Sequence, residues 1–299
     1  MKLLRYWRNG AARAGLLSAD GQGVMPLAGL ADGRFTDIAQ LLELETDVLA
    51  DLTQAARQAK PEAALAEVRL LAPAPRPGKY LAIGMNYRDH IAEAERLGVA
   101  PPTNQTWFNK QTTCISGPFD EIDPGVTEKL DYEVELGLVI GRRARFVDKA
   151  EAPAHVFGYF VANDVSARDW QFHAQTFTVG KSFDTHGPVG PWVVTRDELP
   201  EPHDLGIRCF VNGQLRQQSN TSQLLFTIWD QIAYLSTAFT LEPGDFLITG
   251  TPAGVGVSMK PPTFLAEGDI VRCEIDQIGA IENRIARRSH EEARRPHPY

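Results

Sequence analysis

The chain is organised around Asp131-Tyr-Glu-Val-Glu-Leu-Gly-Leu-Val-Ile-Gly141. Side chains of a strand alternate between its two faces, so Val134, Leu136, Leu138 and Ile140 share one face while Glu133 and Glu135 share the other. The stretch reads as a buried strand with two carboxylates side by side, although Glu-x-Glu alone also describes a strand with a solvated charged face. Further along, Phe160-Val-Ala-Asn-Asp-Val-Ser166 adds Asp164, a third acid interrupting an apolar run at a strand end. Three acids converging on one point need a cation. An all-oxygen donor set suits a hard divalent ion, Mg²⁺ first, with Mn²⁺ or Ca²⁺ as alternatives.

Around this stretch lies a chain of 299 residues, 43% hydrophobic and 23% charged, which has the make-up of an ordinary globular protein and length for one or two domains. Its 38 acidic residues against 30 basic ones leave a net charge of −8. That balance disfavours a broad nucleic-acid or anionic-membrane surface and makes small molecules the expected partners. Cys114, Cys209 and Cys273 lack Cys-x-x-Cys spacing, which argues against a disulfide framework or a zinc site and for a reducing compartment. No signal-peptide apolar region can be drawn among Lys2, Arg5, Arg8 and Arg13, and no apolar run approaches the roughly 20 residues of a membrane span. The cytoplasm is the expected location.

Upstream, residues 2–8, 14–18 and 24–28 read as short strands, with a turn at Asp20-Gly21. Helical spacing follows from the Thr36-Asp37 and Thr46-Asp47 caps. Residues 1–72 thus make a small N-terminal α+β domain, and the Pro-rich 73–78 a linker. Tyr80-Leu-Ala-Ile-Gly84 reads as a buried strand leading into a helix-compatible segment. There His90 and Glu93 stand at i and i+3, where a carboxylate can orient an imidazole as a general base, or where the two merely form a surface pair. Gly98 and Pro101-Pro102 end that helix and offer the hinge of a mobile lid. Lys110 reads first as a surface lysine and second as a partner for a substrate carboxylate.

Downstream of Asp164, Arg168 and Gln171 keep helical spacing and would lie on the side of the metal candidate. Lys181 sits in a Gly/Pro-rich segment that is not a phosphate loop, because the upstream glycine is missing. Val211-Asn212-Gly213-Gln214 is a hairpin signal, and Leu224, Leu225, Ile228, Ile232 and Leu235 suggest one core-facing helix. Leu247-Ile-Thr-Gly-Thr-Pro-Ala-Gly-Val-Gly256 leaves a strand into a loop whose amides and Thr251 hydroxyl could bind an anionic group. Strands near 270–276 and 280–286 follow, and residues 291–299 are expected to be a flexible tail.

Together these motifs resemble the fumarylacetoacetate hydrolase superfamily, and in particular its bacterial two-domain members. The resemblance rests on Gly84-Met-Asn-Tyr87 with His90 and Glu93, Asp131-Tyr-Glu-Val-Glu-Leu136, Asn163-Asp164 with Arg168-Asp169-Trp170-Gln171, Gly180-Lys181-Ser-Phe-Asp184, and Thr249-Gly-Thr-Pro-Ala-Gly-Val-Gly256. It implies an α+β catalytic domain over residues 79–290 with a mixed, rolled or barrel-like sheet, a homodimer, and a Mg²⁺ or Mn²⁺ ion. It assigns the metal to Glu133, Glu135 and Asp164, the lid dyad to His90 and Glu93, and the active-site lysine to Lys181, with Thr251 as the loop threonine. Arg168, Gln171, Thr251 and Lys110 remain for the substrate, in surroundings that include Gln105, Trp107, His173 and Phe177.

The expected activity is hydrolysis of a carbon–carbon bond in 2,4-diketo acids of the acylpyruvate, fumarylpyruvate or diketo sugar acid type. Water attack on the distal carbonyl would release an enolate next to a chelated ketone. The alternative keeps the metal and the enolate but decarboxylates, isomerises or lyses a 2-keto diacid, since one fold hosts many reactions. A third alternative is a non-catalytic metal-binding protein.

Overall fold

The computed structural model describes residues 1–44, 46–74, 76–96, 98 and 100–293. All seven residues of the strand Val134–Ile140 are buried. It pairs antiparallel with Val156–Asn163 on one side and Phe246–Ile248 on the other. Val134, Leu136, Leu138 and Ile140 enter one apolar core, while Val139 enters a second on the opposite face. The alternation holds with both faces covered, which excludes the solvated-face reading; Glu133 stands just before the strand rather than inside it. Burying each of these leucines contributes about 2–3 kcal/mol. On the other face, a Cβ at Gly137 would overlap the Phe160 ring, so only glycine lets that phenyl cross the strand.

Twelve strands form one mixed sheet. Its path runs Ala63–Ala64, Gly23–Pro26, Ala11–Leu17, Lys2–Arg8, Gly187–Thr195, Val156–Asn163, Val134–Ile140, Phe246–Ile248, Tyr80–Gly84 and Thr106–Asn109. Arg69–Leu71 lies beside Lys2–Arg8, and Ile115–Ser116 beside Gly187–Thr195. Pairing is parallel where Phe246–Ile248 meets Tyr80–Gly84 and where Ile115–Ser116 meets Gly187–Thr195. Among the described residues the path does not close into a barrel, and helices are few, so the fold is α+β and sheet-dominated. A second sheet, ordered Gln214–Asn220, Gly206–Val211, Ile270–Ile275, Gly279–Arg284, brings Ile207, Cys209, Val271, Cys273 and Ile281 into the core of Leu136 and Leu138.

The N-terminal strands join the large sheet directly, through Lys2–Arg8 against Gly187–Thr195. Leu16, Leu27, Ile38 and Leu52 share a core with Phe157, Phe160 and Phe246. In that region a 3₁₀ turn at Ile38–Leu41 is capped by Asp37, and an α-helix spans Thr46–Gln58. Pro75 of the linker and Val99 of the expected hinge lie outside the described residues. Of the expected tail, residues 294–299 also lie outside them, while His290–Ala293 is a short helix.

Asn212 and Gly213 adopt φ of 52° and 76°, as a two-residue hairpin turn requires. The helix expected from Leu224 begins only at Ile228, because Thr227 and Asp230 form a capping box there. Cys209 and Cys273, distant in sequence, are opposite each other on paired strands, their buried sulfurs 3.9 Å apart. No described helix is long and apolar enough to cross a membrane.

Candidate metal centre and acid-base pair

Three neighbouring strands place the acids. Val134 opens the central strand opposite Asn163, which closes its neighbour, so Glu133 and Asp164 emerge at the same edge of the sheet. The Asp164 N–H donates to the Glu133 carbonyl at 2.8 Å, and the Glu133 N–H donates to Asn163 Oδ1 at 3.0 Å. On the other side the Thr249 N–H continues the ladder to the Leu136 carbonyl at 3.0 Å, and Gly250 then donates to Glu135 Oε2 at 2.7 Å. Ligand atoms of Glu133, Glu135 and Asp164 consequently lie within 4.8 Å of one another, and all three residues are buried. The convergence expected from the sequence is present.

Charge balance around these acids is uneven. Lys181 Nζ bridges Glu133 Oε2 and Asp164 Oδ2, at 2.7 Å from each. Gly180 permits that approach, since a Cβ there would overlap the backbone of Gln171. Arg168, on the four-residue helix Arg168–Gln171, reaches Glu133 Oε1 at 2.7 Å, Asp131 Oδ2 at 2.8 Å and Gln171 Oε1 at 2.9 Å. Burial opposes ionisation of Glu133, but Lys181 and Arg168 outweigh it and hold this carboxyl down to about 2. Glu135 is pushed the other way, well above the carboxylate range, by burial and then by the charges of Asp164 and Glu133. A carboxylate left in that position fits a cation, and the hard oxygen donors fit a divalent one.

Lys110 is not a surface lysine. Its side chain is fully buried, and Nζ bonds Asp164 Oδ1 at 2.6 Å, the His186 carbonyl at 3.1 Å and the Lys181 carbonyl. Burial disfavours its charge, yet Asp164 overrides this and raises its pKa. The surface reading fails because its three partners lie far along the chain. Thr251 is also more committed than expected: its hydroxyl donates to the Val134 carbonyl at 2.9 Å and accepts from Gln217 Nε2 at 2.8 Å. No hydroxyl proton remains for an anionic group there. Asp164 follows a strand rather than lying on the helix with Arg168 and Gln171; Arg168 nevertheless reaches the triad, and Gln171 is brought to it through Arg168.

His90 and Glu93 lie on the helix Arg88–Glu95, with His90 Nδ1 and Glu93 Oε2 3.1 Å apart. Glu93 Oε1 accepts the Gly254 N–H at 3.2 Å, which docks the pair on the glycine-rich loop. Burial raises Glu93, but the imidazole contact and the Gly254 N–H hold it below its ordinary range.

Several supporting residues had no assigned role in the sequence. Asn86 donates to the Thr249 carbonyl at 2.8 Å and the Phe226 carbonyl at 3.1 Å, and accepts the Phe226 N–H at 2.8 Å. It thereby pins the start of the His90 helix to the loop that serves Glu135. Gly250 is required there: its φ is 96°, and a Cβ would lie 2.8 Å from the Asn86 Cβ. Gln217, fully buried, accepts the Val134 N–H at 3.0 Å and donates to the Pro252 carbonyl at 2.8 Å. Asp131 accepts the Gly256 and Val257 N–H groups at 2.8 and 3.0 Å besides Arg168. The signal for Asn86 and Asp131 was their place in the quoted motifs; Gln217 has none in its own neighbourhood.

Fold and site define a class of protein in which an open mixed sheet presents buried, hard oxygen donors beside a histidine–carboxylate pair. Residues 79–286 match the family described as fumarylacetoacetate (FAA) hydrolase C-terminal, and the chain belongs to that family. It is 42% identical over 274 residues to the mitochondrial oxaloacetate tautomerase FAHD2B of Bos taurus, covering 91% of this chain and 86% of the relative. Among solved structures, it is similar to a fumarylacetoacetate hydrolase from Exiguobacterium antarcticum, with 36% identity and a TM-score of 0.83 over 96% of this chain and 100% of the other. A maleylpyruvate hydrolase from Sphingobium sp. SYK-6, in complex with manganese(II) and pyruvate, shares 30% identity with a TM-score of 0.76 over 97% and 100% of the two chains.

Proposed function

We propose that the chain moves a proton between C3 and the 2-oxo oxygen of a dicarboxylic 2-oxo acid of the oxaloacetate type, acting as a keto–enol tautomerase. The buried Glu133, Glu135 and Asp164 triad beside an oriented imidazole carries this reading, and the tautomerase relative, similar over 91% of the chain, supports the choice of substrate. Glu133, Glu135 and Asp164 would hold a divalent cation, which supplies Lewis-acid polarisation of the 2-oxo carboxylate. With the His90 proton on Nδ1, Glu93 Oε2 accepts its hydrogen bond, leaving the lone pair on Nε2. His90 Nε2 removes a proton from C3 of the keto form, the C–H electron pair becomes the enolate, and return of the proton to the oxygen completes the enol. Lys181 is a fixed positive charge beside the triad, placed before the reaction, and it favours the enolate's negative charge. Arg168, held by Gln171, adds a second fixed cation at Glu133.

Ketonisation of freshly dissolved enol-oxaloacetate, followed by loss of its ultraviolet absorbance with Mg²⁺ or Mn²⁺, tests the reading. A rate no greater than that of metal and buffer alone overturns it. Hydrolysis of acylpyruvate-type 2,4-diketo acids is the second reading, favoured by the likeness to the maleylpyruvate hydrolase that holds manganese and pyruvate. There the same imidazole would activate water. Incorporation of one ¹⁸O from labelled water into the carboxylic acid product identifies that reaction, whereas tautomerisation leaves the mass unchanged.

A further inference from the structure

We propose that Arg216 forms a subsite for the second carboxylate of the substrate, so that the enzyme selects dicarboxylic 2-oxo acids over monocarboxylic ones; this rests on the 2-oxo acid reading above. Cys209 is opposite Gln217 and Phe210 is opposite Leu215, so Arg216 is the extra residue of a β-bulge. Bulges bend a strand and re-aim the side chain they carry, and they recur beside active sites. Here Gln217 turns inward to Val134 and Thr251, and Arg216 points to Met259.

The guanidinium is left with incomplete hydrogen bonding. Arg216 Nη1 has the Met259 sulfur at 3.7 Å, Nη2 donates to Gln214 Oε1 at 3.2 Å, and the buried Nε has no partner. A thioether is a weak acceptor, and a buried N–H without a partner is costly. Lys110, Lys181 and Arg168 each already hold a carboxylate at 2.6–2.8 Å. Arg216 has no carboxylate partner among the described residues. A planar fork of donors in this condition matches a carboxylate, which it can bind through two parallel hydrogen bonds.

The sulfur beside Arg216 also lies 3.9 Å from the Tyr132 hydroxyl, and Tyr132 directly precedes Glu133. Tyr132 donates to the Gly254 carbonyl at 3.1 Å, while the Gly254 N–H holds Glu93 at 3.2 Å. A Cβ at Gly254 would overlap the Arg216 carbonyl oxygen, so the bulge and the dyad loop are packed face to face. The guanidinium therefore stands beside the loop whose Gly254 N–H holds Glu93.

Binding of malate and of 2-hydroxybutanoate to the Mg²⁺-loaded protein, measured by calorimetry, isolates the contribution of the distal carboxylate, because the two ligands differ there by carboxylate against methyl. The parent should prefer malate by at least about tenfold. Arg216→Gln should abolish that preference and leave 2-hydroxybutanoate binding unchanged; Arg216→Lys, which keeps charge but not the fork, should retain part of it. Equal binding of the two ligands by the parent, survival of the preference in Arg216→Gln, or a parallel loss of both ligands in Arg216→Lys overturns the subsite. Failure of the tautomerase reading is separately visible: no ketonisation of enol-oxaloacetate together with an Arg216-dependent preference for malate removes the reaction and keeps the subsite.

Discussion

At the scale of the residue, the three acids are divided by their surroundings. Lys181 and Arg168 keep Glu133 ionised, while Glu135 accepts the Gly250 N–H and is pushed upward by burial and its neighbours. Glu135→Gln should therefore weaken Mn²⁺ binding by more than about 10²-fold, read by electron paramagnetic resonance of the free ion. His90→Ala should leave that affinity unchanged and lower turnover by about 10²-fold, as loss of a general base does. His186 supplies a pH dependence of stability. Burial pushes its imidazole from the ordinary 6.5 down to about 3, with Nε2 bonded to the Asp123 carbonyl at 2.9 Å. Below pH 6.5 the unfolded chain takes up a proton that the folded one refuses, so this residue's share of stability is complete above that pH and is lost as pH falls toward 3. Urea midpoints should fall less between pH ~6.5 and ~5 for His186→Gln than for the parent.

Elements show where local sequence suffices. Val134–Ile140 was legible because strict alternation survives burial on both faces, and the 211–214 hairpin because Asn-Gly meets the turn's positive φ. For the helix expected from Leu224, apolar spacing sets the start too early because it continues through the bend at Leu225 and Phe226, whereas the Thr227–Asp230 capping box sets the true start at Ile228. Lys110 was misplaced for a different reason: nothing next to it in sequence encodes burial, and its partners Asp164, Lys181 and His186 arrive from other elements. Arg216 and Gln217 escaped because a bulge has no hydrophobic signature. Gly137, by contrast, permits a direct test of the packing. Gly137→Ala should cost about 1–3 kcal/mol in chemical denaturation, because the added methyl must displace the Phe160 ring. A variant as stable as the parent would mean that the ring can move without loss.

At the scale of the whole molecule, the quoted motifs converge because the chain brings the opening of one strand and the ends of two others to one edge of a twelve-stranded sheet. The pairing of Lys2–Arg8 with Gly187–Thr195 is not legible, since which distant segment a strand pairs with leaves no trace in either strand's own pattern. Lys181 and Lys110, which touch the acids at 2.6–2.7 Å, act as internal counterions built into the chain. Their presence separates maturation from metallation. A protein that carries its own positive charge among converging acids can complete its core without waiting for an ion, unlike a zinc finger, whose folding and metal binding are one event. Chelation should accordingly abolish turnover yet leave far-ultraviolet circular dichroism intact, with restoration on adding Mg²⁺ or Mn²⁺ without a refolding step. Which metal such a protein would carry would then be decided after synthesis, by whichever divalent ion its surroundings supply to a finished receptacle.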